Sequence, residues 1–519
     1  MKNFYWMSLV FAIVLHYGLP SVVAQDYYQK SSYRITDPTV HASQQMDGSM
    51  QGHGMQMPGS PSSNAHSGNS HSGMAMGDMK MKVPDKPGHR YQKPTALPAT
   101  PESSVPTDRP ENYTGQQLTL DDLLAIATQN NPTLRQAQNQ ITAETGKAIQ
   151  AGLYPNPGFR YSAEQIGVDG TAGEFHGGIF SQEIVRGGKL RLSRAKYVQR
   201  VKATEALALA QQFRVANDVK IHFYMVLSQQ QKVNIQSELV KSSEDAAVTA
   251  REAFQMGQAN AVGIRRVNVA LQKSRLELLA QQNKLRQAVR QLSALVGTEL
   301  DGSFFVGELE GQSIVMDFSE LLAELLVSSP EMMAARAKLQ ADRITVRRER
   351  VEPIPNITLE GGAGYNFERN QTVAAAGISL QLPIWDRNQG TIQQAQADLS
   401  RQCAEIERLE GRLKRDLAGQ FESYLTTTQH VDQYQTMILP ELKETYRLML
   451  ESYKDNRIDW NEVLLAQSDY FMARQEYVDW LWQWRKSQVL IDGMLLHDGL
   501  MAAEGAMPAG HIDSVAKPR

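Results

Sequence analysis

Apolar residues recur at helical spacing in a block that begins at residue 118 and returns about 200 residues later. In LTLDDLLAIATQNNPTL (118–134) they recur every three to four positions, the period of one helix face, and Thr119 or Asp121 is predicted to cap the helix. In MDFSELLAELLVSSPEMMAARAKLQ (316–340) the apolar positions match, and Ser329-Pro330 falls where Asn131-Pro132 fell. This recurrence indicates an internal duplication.

Three further segment pairs match in the same order at nearly the same offset. They are YPNPGFRYSAE (154–164) with EPIPNITLE (352–360), FSQEIVRGGKLRLSRA (180–195) with LQLPIWDRNQGTIQQA (380–395), and AREAFQMGQANAVGIRRVNVAL (250–271) with LESYKDNRIDWNEVLLAQSDYF (450–471). Each half is therefore predicted to contain a helix, two short strands and two very long helices. The fold class is mainly α with a small β part, built from a duplicated helix, β-hairpin and long helical hairpin unit.

The predicted strands alternate apolar and polar residues. In NITLEGGAGYNF (356–367) and VAAAGISLQLPIW (373–385) the apolar residues occupy every second position, and GFRYSAE (158–164) behaves in the same way. Segments of about ten residues are long enough to cross a bilayer as tilted strands. Alternation alone also fits a pair of edge hairpins on a soluble domain.

The predicted long helices lie in stretches without proline. No proline occurs between Pro157 and Pro330 or between Pro440 and Pro508, so helices of some 55 residues, roughly 80 Å long, fit each half. Apolar spacing drifts from a strict heptad, which favours a packed helical wall over a two-stranded coiled coil. Gly257 and Asn456 are predicted to mark the places where the helices turn back.

Four strands are too few to close a barrel. An open sheet edge in lipid leaves backbone groups unpaired at about several kcal/mol each, so other copies of the chain must complete the sheet. Three copies supply twelve strands, an even number within the range of outer-membrane barrels. We therefore expect a homotrimer in contact with outer-membrane lipid.

The N-terminal region adds an export signal. Residues 1–24 combine Lys2, an apolar run and small residues before Ala24, which is typical of a secretory signal peptide. We expect a disordered tail at 25–112, a first structural repeat at 113–315, a second at 316–500 and a flexible C-terminal tail at 501–519. The single cysteine, Cys403, excludes an intramolecular disulfide, leaves none near the cleavage site for lipidation, and is interpreted as a small packed residue.

The tail from 25 to 112 is rich in methionine and histidine, although its composition does not support a folded core. Thioether sulfur suits Cu(I) and, by the same logic, Ag(I), and imidazole extends the range to Cu(II) and Zn(II). Transient metal capture competes with two other interpretations, an inert spacer and a docking segment for another protein. The candidate ligands are His41, Met46, Met50, His53, Met55, Met57, His66, His71, Met74, Met76, Met79, Met81 and His89.

Other residues of chemical interest are given structural interpretations. His176, His222, His430 and His497 are too far apart to suggest a metal site and are expected to be satisfied or solvent-facing. The tryptophans of WLWQWRKSQ (480–488) are expected to pack against a neighbouring helix. The net charge of −3, without a basic block, argues against nucleic-acid binding. No nucleophile–base pair, phosphate-binding loop or carboxylate dyad suggests an enzyme, and no resident cofactor is expected.

These features together resemble a known family. The order of elements, the Asn-Pro in the first helix, QEIVRGGKLRLSRA and SYKDNRIDWNEVLLAQ resemble the TolC-like outer-membrane efflux channels. LPIWDRNQGTIQQAQADL resembles the branch that serves heavy-metal pumps of the resistance–nodulation–division type, such as the cobalt–zinc–cadmium and copper–silver systems. The resemblance spans residues 118 to about 500.

The resemblance implies a trimeric twelve-stranded barrel continued by a periplasmic α-barrel. Such a channel performs no chemistry and is the exit duct for an inner-membrane pump and a periplasmic adaptor protein. Tyr453 and Glu462 match positions that close the entrance in the family, whereas Tyr453 is also explained as a packing residue at a helix end. Asn456 and Leu465 replace the usual glycine and acidic residue, and Gly263 stands where an acidic residue is common.

Three functions therefore compete. The first is an outer-membrane duct for heavy metals, with copper and silver favoured over cobalt, zinc and cadmium. The second is a duct for drugs or organic toxins in which the Met/His tail is incidental. The third is a soluble periplasmic coiled-coil protein that sequesters metal.

Overall fold

The computed structural model describes residues 115–166, 174–256, 261–455, 457–505 and 511–512. All of them belong to one compact unit, residues 99–519. The predicted signal peptide, the Met/His tail and the predicted turn positions Gly257 and Asn456 lie outside the described residues.

The order of helix, β-hairpin and long helices occurs twice. The described helices are α1 (Leu120–Asn130), α2 (Pro132–Gln150), α3 (Lys189–Gln255), α4 (Ala261–Val296), α5 (Phe318–Ser328), α6 (Pro330–Val351), α7 (Gln389–Gln433), α8 (Leu439–Lys454) and α9 (Trp460–Asp492). The strands are β1 (Gln117–Leu118), β2 (Gly158–Glu164), β3 (Phe175–Ile184), β4 (Phe304–Phe305), β5 (Ile357–Asn366) and β6 (Gln371–Leu380).

The helix starts follow from local capping chemistry. Thr119 accepts a hydrogen bond from the backbone N–H of Asp122, whose carboxylate accepts one from the Thr119 N–H at 2.9 Å, so Thr119 is the cap of α1. Asn131 caps α2 and Pro132 takes its first turn, where the missing N–H has no cost. Ser329 and Pro330 occupy the same places between α5 and α6, as the duplication predicts.

The long helices differ between the repeats. α3 has 67 residues and is about 100 Å long, beyond the length expected from the sequence. The corresponding run of the second repeat is divided into α7 and α8 by a π-helical turn at Tyr434–Ile438. Pro440 follows this turn and lacks an N–H for the α-helical pattern, which explains why the wider turn forms there.

The helices pack side by side around α3. α3 contacts α2 and α6 near the sheet, and α4 and α9 towards the helix turns, while α8 contacts α9. A large apolar cluster formed by α1, α3, α4 and α9 includes Leu123, Val219 and Leu292, which are fully buried. Within the described helices, no apolar stretch is long enough to span a lipid bilayer.

Two packing predictions have opposite outcomes. Two of the three tryptophans of WLWQWRKSQ do pack on a neighbouring helix: Trp484 is buried in a cluster with α7, and Trp480 stacks on His430 of α7 at 4.0 Å. The interpretation of Cys403 as a packed residue is wrong, because its side chain is exposed. Its neighbour Gln402 takes the buried position and donates to the Ala335 carbonyl, so Cys403, about 100° further round α7, faces outward.

Candidate functional site

The four long strands form one antiparallel sheet in the order β2–β3–β5–β6. The register places Phe159 opposite Phe180, whose ring centroid is 4.9 Å away, and Phe180 opposite Gly361. Side chains alternate between the two faces. Phe159 and Phe180 therefore share a face, which also presents Leu359 and Ile378, and all four side chains are exposed.

The opposite face of the sheet is polar and close-fitting. It carries Arg160, Ser162, Glu183, Thr358, Glu360 and Ser379. Its glycines let neighbouring strands and one ring approach closely: a Cβ at Gly362 would lie 2.3 Å from the carbonyl oxygen of Gly178, and one at Gly364 would lie 2.5 Å from the Phe175 ring. A sheet with one apolar and one polar face suits a boundary between lipid and water.

The two outer strands of this sheet are open. Among the described residues, β2 pairs only with β3, and β6 pairs only with β5. Each therefore has one edge whose backbone N–H and C=O groups have no strand partner. Such an edge is ready to pair with another strand, including one from a second copy of the chain.

The two helical hairpins are joined by polar contacts near their turns. The Gln467 amide of α9 donates to the Ser242 hydroxyl of α3 at 2.7 Å, and Ser242 is 3.2 Å from the Tyr446 hydroxyl of α8. Further along, Arg474 pairs with Glu238 at 2.5 Å and Lys232 with Asp479 at 2.5 Å. We call the Ser242, Tyr446 and Gln467 group the inter-hairpin cluster.

The predicted gate residues lie at the turn between α8 and α9. The Tyr453 ring meets the Trp460 ring edge-on, with centroids 4.6 Å apart, across the turn. Glu462 is exposed in the first turn of α9, where its N–H donates to the Asp459 carbonyl at 3.1 Å. Tyr453 and Glu462 thus have different partners. The contact of Tyr453 with Trp460 is the one expected if Tyr453 is a packing residue at a helix end. Gly263 lies in the first turn of α4. The gating role of the pair stays a prediction.

Comparison with known proteins identifies the family to which this chain belongs. A family model described as outer membrane efflux protein matches residues 123–298 and 321–495, one segment in each repeat. The chain belongs to the outer membrane efflux protein family. This confirms the resemblance drawn from the sequence, the mainly α fold with its small β part, and the expectation that the protein is a channel and not an enzyme.

Relatives of this efflux channel include proteins named for metal resistance and for solvent efflux. Cobalt-zinc-cadmium resistance protein CzcC of Cupriavidus metallidurans is 27% identical over 389 residues, which cover 73% of this chain and 90% of CzcC. Toluene efflux pump outer membrane protein TtgF of Pseudomonas putida is 23% identical over 382 residues, covering 69% of this chain and 78% of TtgF. A crystal structure of CusC superposes with a TM-score of 0.63 at 18% identity, covering 79% of this chain and 99% of that chain, and this likeness concerns the fold alone.

The metal ligands predicted for this efflux channel, from His41 to His89, lie outside the described residues. Among the residues that are described, no group of three or more histidine, cysteine, aspartate or glutamate side chains is arranged to hold a metal ion. The four histidines that were expected to be satisfied or solvent-facing do have other partners. His176 contacts Tyr161, His222 the Asp218 carbonyl, His430 the Trp480 ring and His497 the Asp498 carboxylate.

Sequence reasoning missed the contacts of the segment after α9 with the efflux channel's helices. The Gly499 N–H donates to the buried Asp218 carboxylate at 2.6 Å, and His511 lies 3.0 Å from Asp342. His511 and Ala503 are buried, although 501–519 was predicted to be a flexible tail. Since these partners are more than 160 residues apart in sequence, local patterns carry no signal of them.

Burial shifts the pKa of two groups in this region. Desolvation raises the pKa of the Asp218 carboxyl, although the Gly499 N–H stabilises its ionised form. Desolvation also lowers the pKa of the Lys338 ammonium, although nearby carboxylates, Glu504 first, favour its charge. In both groups, burial therefore disfavours the charged form of the side chain.

Proposed function

We propose that three copies of this chain close a twelve-stranded barrel in the outer membrane and form the exit duct of a tripartite heavy-metal efflux system. The observation that carries the proposal is the sheet, which exposes an apolar face and, among the residues that the structure describes, has a free edge on both β2 and β6. In lipid these edges leave backbone groups unpaired at about several kcal/mol each. Pairing β6 of one copy with β2 of the next removes every such edge.

The helices then extend into the periplasm from the end of the barrel. β2 and β5 begin, and β3 and β6 end, at the side of the sheet where the chain connects to α2, α6, α3 and α7. The two helical hairpins therefore lie on one side of the membrane. We place a periplasmic adaptor and an inner-membrane pump at their turns, with Tyr453 and Glu462 near the entrance.

Heavy-metal cargo is favoured by two independent features. CzcC is named for cobalt, zinc and cadmium resistance, and the N-terminal region of this chain holds methionine and histidine, whose side chains are ligands for Cu(I), Ag(I), Cu(II) and Zn(II). We propose that this region captures metal transiently beside the duct. A duct for organic compounds is the second candidate, because TtgF is named for toluene efflux.

Survival of a deletion strain separates the two cargo classes. Cells that lack the gene are challenged with copper, silver, zinc, cobalt and cadmium, and separately with toluene and a dye. The proposal expects sensitivity to metals that the intact gene restores. Sensitivity confined to toluene and the dye contradicts it.

A second strain tests the tail. Removal of residues 41–89 is expected to lower copper and silver tolerance at unchanged protein level, while tolerance to other toxic compounds stays the same. As a matched control, replacing each methionine of that segment by leucine keeps its length and apolar character without the sulfur ligands. Unchanged tolerance in both variants contradicts metal capture and leaves the duct itself untouched.

A further inference from the structure

The connection from β6 to α7 is longer than its counterpart in the first repeat. β3 and β6 end at the same level, since Ile184 and Leu380 are both opposite Ile357. The following helices start at equivalent left-handed caps, Gly188 with φ 66° and Asn388 with φ 62°. Residues 185–187 join strand to cap in the first repeat, whereas residues 381–387 do so in the second. We call residues 381–387 the apolar loop.

The polar side of the apolar loop is tied to the helices. The Asn388 side chain donates to the carbonyl and the carboxylate of Glu349 in α6 at 2.9 and 2.8 Å. The N–H of Asn388 donates to Asp386 at 2.9 Å, and that of Arg387 donates to Gln389 at 2.8 Å. These contacts fix the backbone of the loop next to its helix.

The apolar side of the same loop points away from the chain. Trp385 is 86% exposed, Leu382 68% and Ile384 55%. The loop backbone is turned by a hydrogen bond from the Ile384 N–H to the Leu382 carbonyl at 2.9 Å. Trp, Leu and Ile held outward on a braced loop form an apolar surface that water does not favour.

This surface continues the lipid-facing side of the sheet. Ile378 and Leu380 are exposed on the apolar face of β6, and the exposed Leu382 follows two residues after the strand ends. The loop lies at the end of the sheet where the chain passes to its helices, which is the level of a membrane interface if the sheet spans the bilayer. Tryptophan concentrates at that level, since its ring is apolar and its N–H prefers water. Arg387 is exposed beside it, as expected next to lipid phosphates.

We infer that the apolar loop is an interfacial anchor, with Trp385, Ile384 and Leu382 lying among the phospholipid headgroups of the leaflet next to the helices. The inference rests on the proposed function, because it requires the sheet to span the outer membrane. The first repeat has no such loop, so the anchor belongs to the β6 side of each copy. In the trimer it supplies three fixed points at the height of the barrel rim.

Site-specific fluorescence quenching tests the anchor. The native Cys403 is exposed, so it is first replaced in C403S to keep the label at the introduced cysteine. Single cysteines are then introduced in W385C, in I378C as a position on the sheet, and in V315C as a fully exposed position between the repeats. Each full-length protein is labelled with a small environment-sensitive dye and reconstituted in phosphatidylethanolamine–phosphatidylglycerol vesicles that carry nitroxide lipids.

The anchor predicts that a headgroup nitroxide removes most of the fluorescence at position 385, that an acyl-chain nitroxide does so at position 378, and that neither affects position 315. An unquenched label at 385 beside a quenched label at 378 overturns the anchor and leaves the barrel standing. Unquenched labels at both positions contradict the membrane barrel itself.

A second variant distinguishes lipid from a neighbouring copy of the chain. W385A is expected to keep the oligomer of the unsubstituted protein in detergent, because lipid and not a second copy covers the loop. Loss of the oligomer in detergent, together with an unquenched label at 385, would mean that a second copy covers the loop, and the anchor would be wrong.

Discussion

Replacing Asn131 tests how the helix break stabilises the channel wall. Asn131 is fully buried between α1 and α2, with no exposed surface. The Oδ1 atom of its side-chain amide accepts hydrogen bonds from the backbone N–H and the hydroxyl of Thr133 at 2.9 and 2.7 Å. Its amide donates to the Leu295 carbonyl at 2.8 Å, which ties the start of α2 to the end of α4.

N131A removes the cap of α2 and leaves the buried carbonyl of Leu295 without its donor. Loss of a cap costs about 0.5–2 kcal/mol, and an unsatisfied buried group adds about 1–3 kcal/mol. The expected loss of stability is thus about 1.5–5 kcal/mol. Because about 1.4 kcal/mol is a factor of ten, the Thr133 amide should exchange hydrogen about 10 to 4,000 times faster, measured by mass spectrometry on the detergent-extracted protein.

The duplication supplies a matched control. Ser329 occupies the equivalent position before Pro330 and is also fully buried, but its hydroxyl makes no hydrogen bond to the residues described. S329A therefore removes no contact, and exchange around α6 should change by less than about threefold. Equal acceleration in N131A and S329A would contradict a stabilising role of the Asn131 cap, because burial alone would then control stability.

Three further predictions concern the sheet, the hairpins and pH. G362V should abolish the folded, heat-resistant oligomer on gels, because a Cβ there meets the neighbouring strand at 2.3 Å, whereas G361V should be tolerated, since its Cβ meets nothing within 4 Å. Q467A should raise single-channel conductance in planar bilayers, because the 2.7 Å bond to Ser242 joins the two hairpins; unchanged conductance would contradict a role in closure. Burial raises the pKa of Asp218 above 3.8, so the protonated carboxyl favours the folded state. This stabilisation is complete below pH 3.8 and is lost as the pH rises through the higher folded-state pKa. D218N should remove this loss, and an identical pH profile of thermal unfolding would contradict it.

The duplicated architecture could be predicted from local patterns. The Asn-Pro and Ser-Pro breaks, the period-two strands and the proline-free runs each follow from short-range chemistry, and the structure has all three. Positive φ at both Gly188 and Asn388 confirms the predicted alignment of the helix starts. In such elements the local sequence preference agrees with the fold, so they can be predicted without a structure.

Other features depend on contacts between distant residues. The alignment of 180–195 with 380–395 predicts equivalent strand ends, but β6 ends at Leu380, because Pro383 has no N–H to continue an edge strand and β5 begins at that level. The burial of His511 against Asp342 joins residues 169 apart, and no periodicity encodes it. The metal ligands and gate residues rest on side-chain chemistry and family resemblance, and experiments on those residues must test them.

In the proposed barrel, one chain holds a third of the closed sheet. Native mass spectrometry of the protein extracted from outer membranes in mild detergent counts the copies directly. A barrel closed by three copies predicts a species of three chains that persists after lipid is removed. A single chain as the largest species, recovered from the periplasmic fraction without detergent, would contradict it.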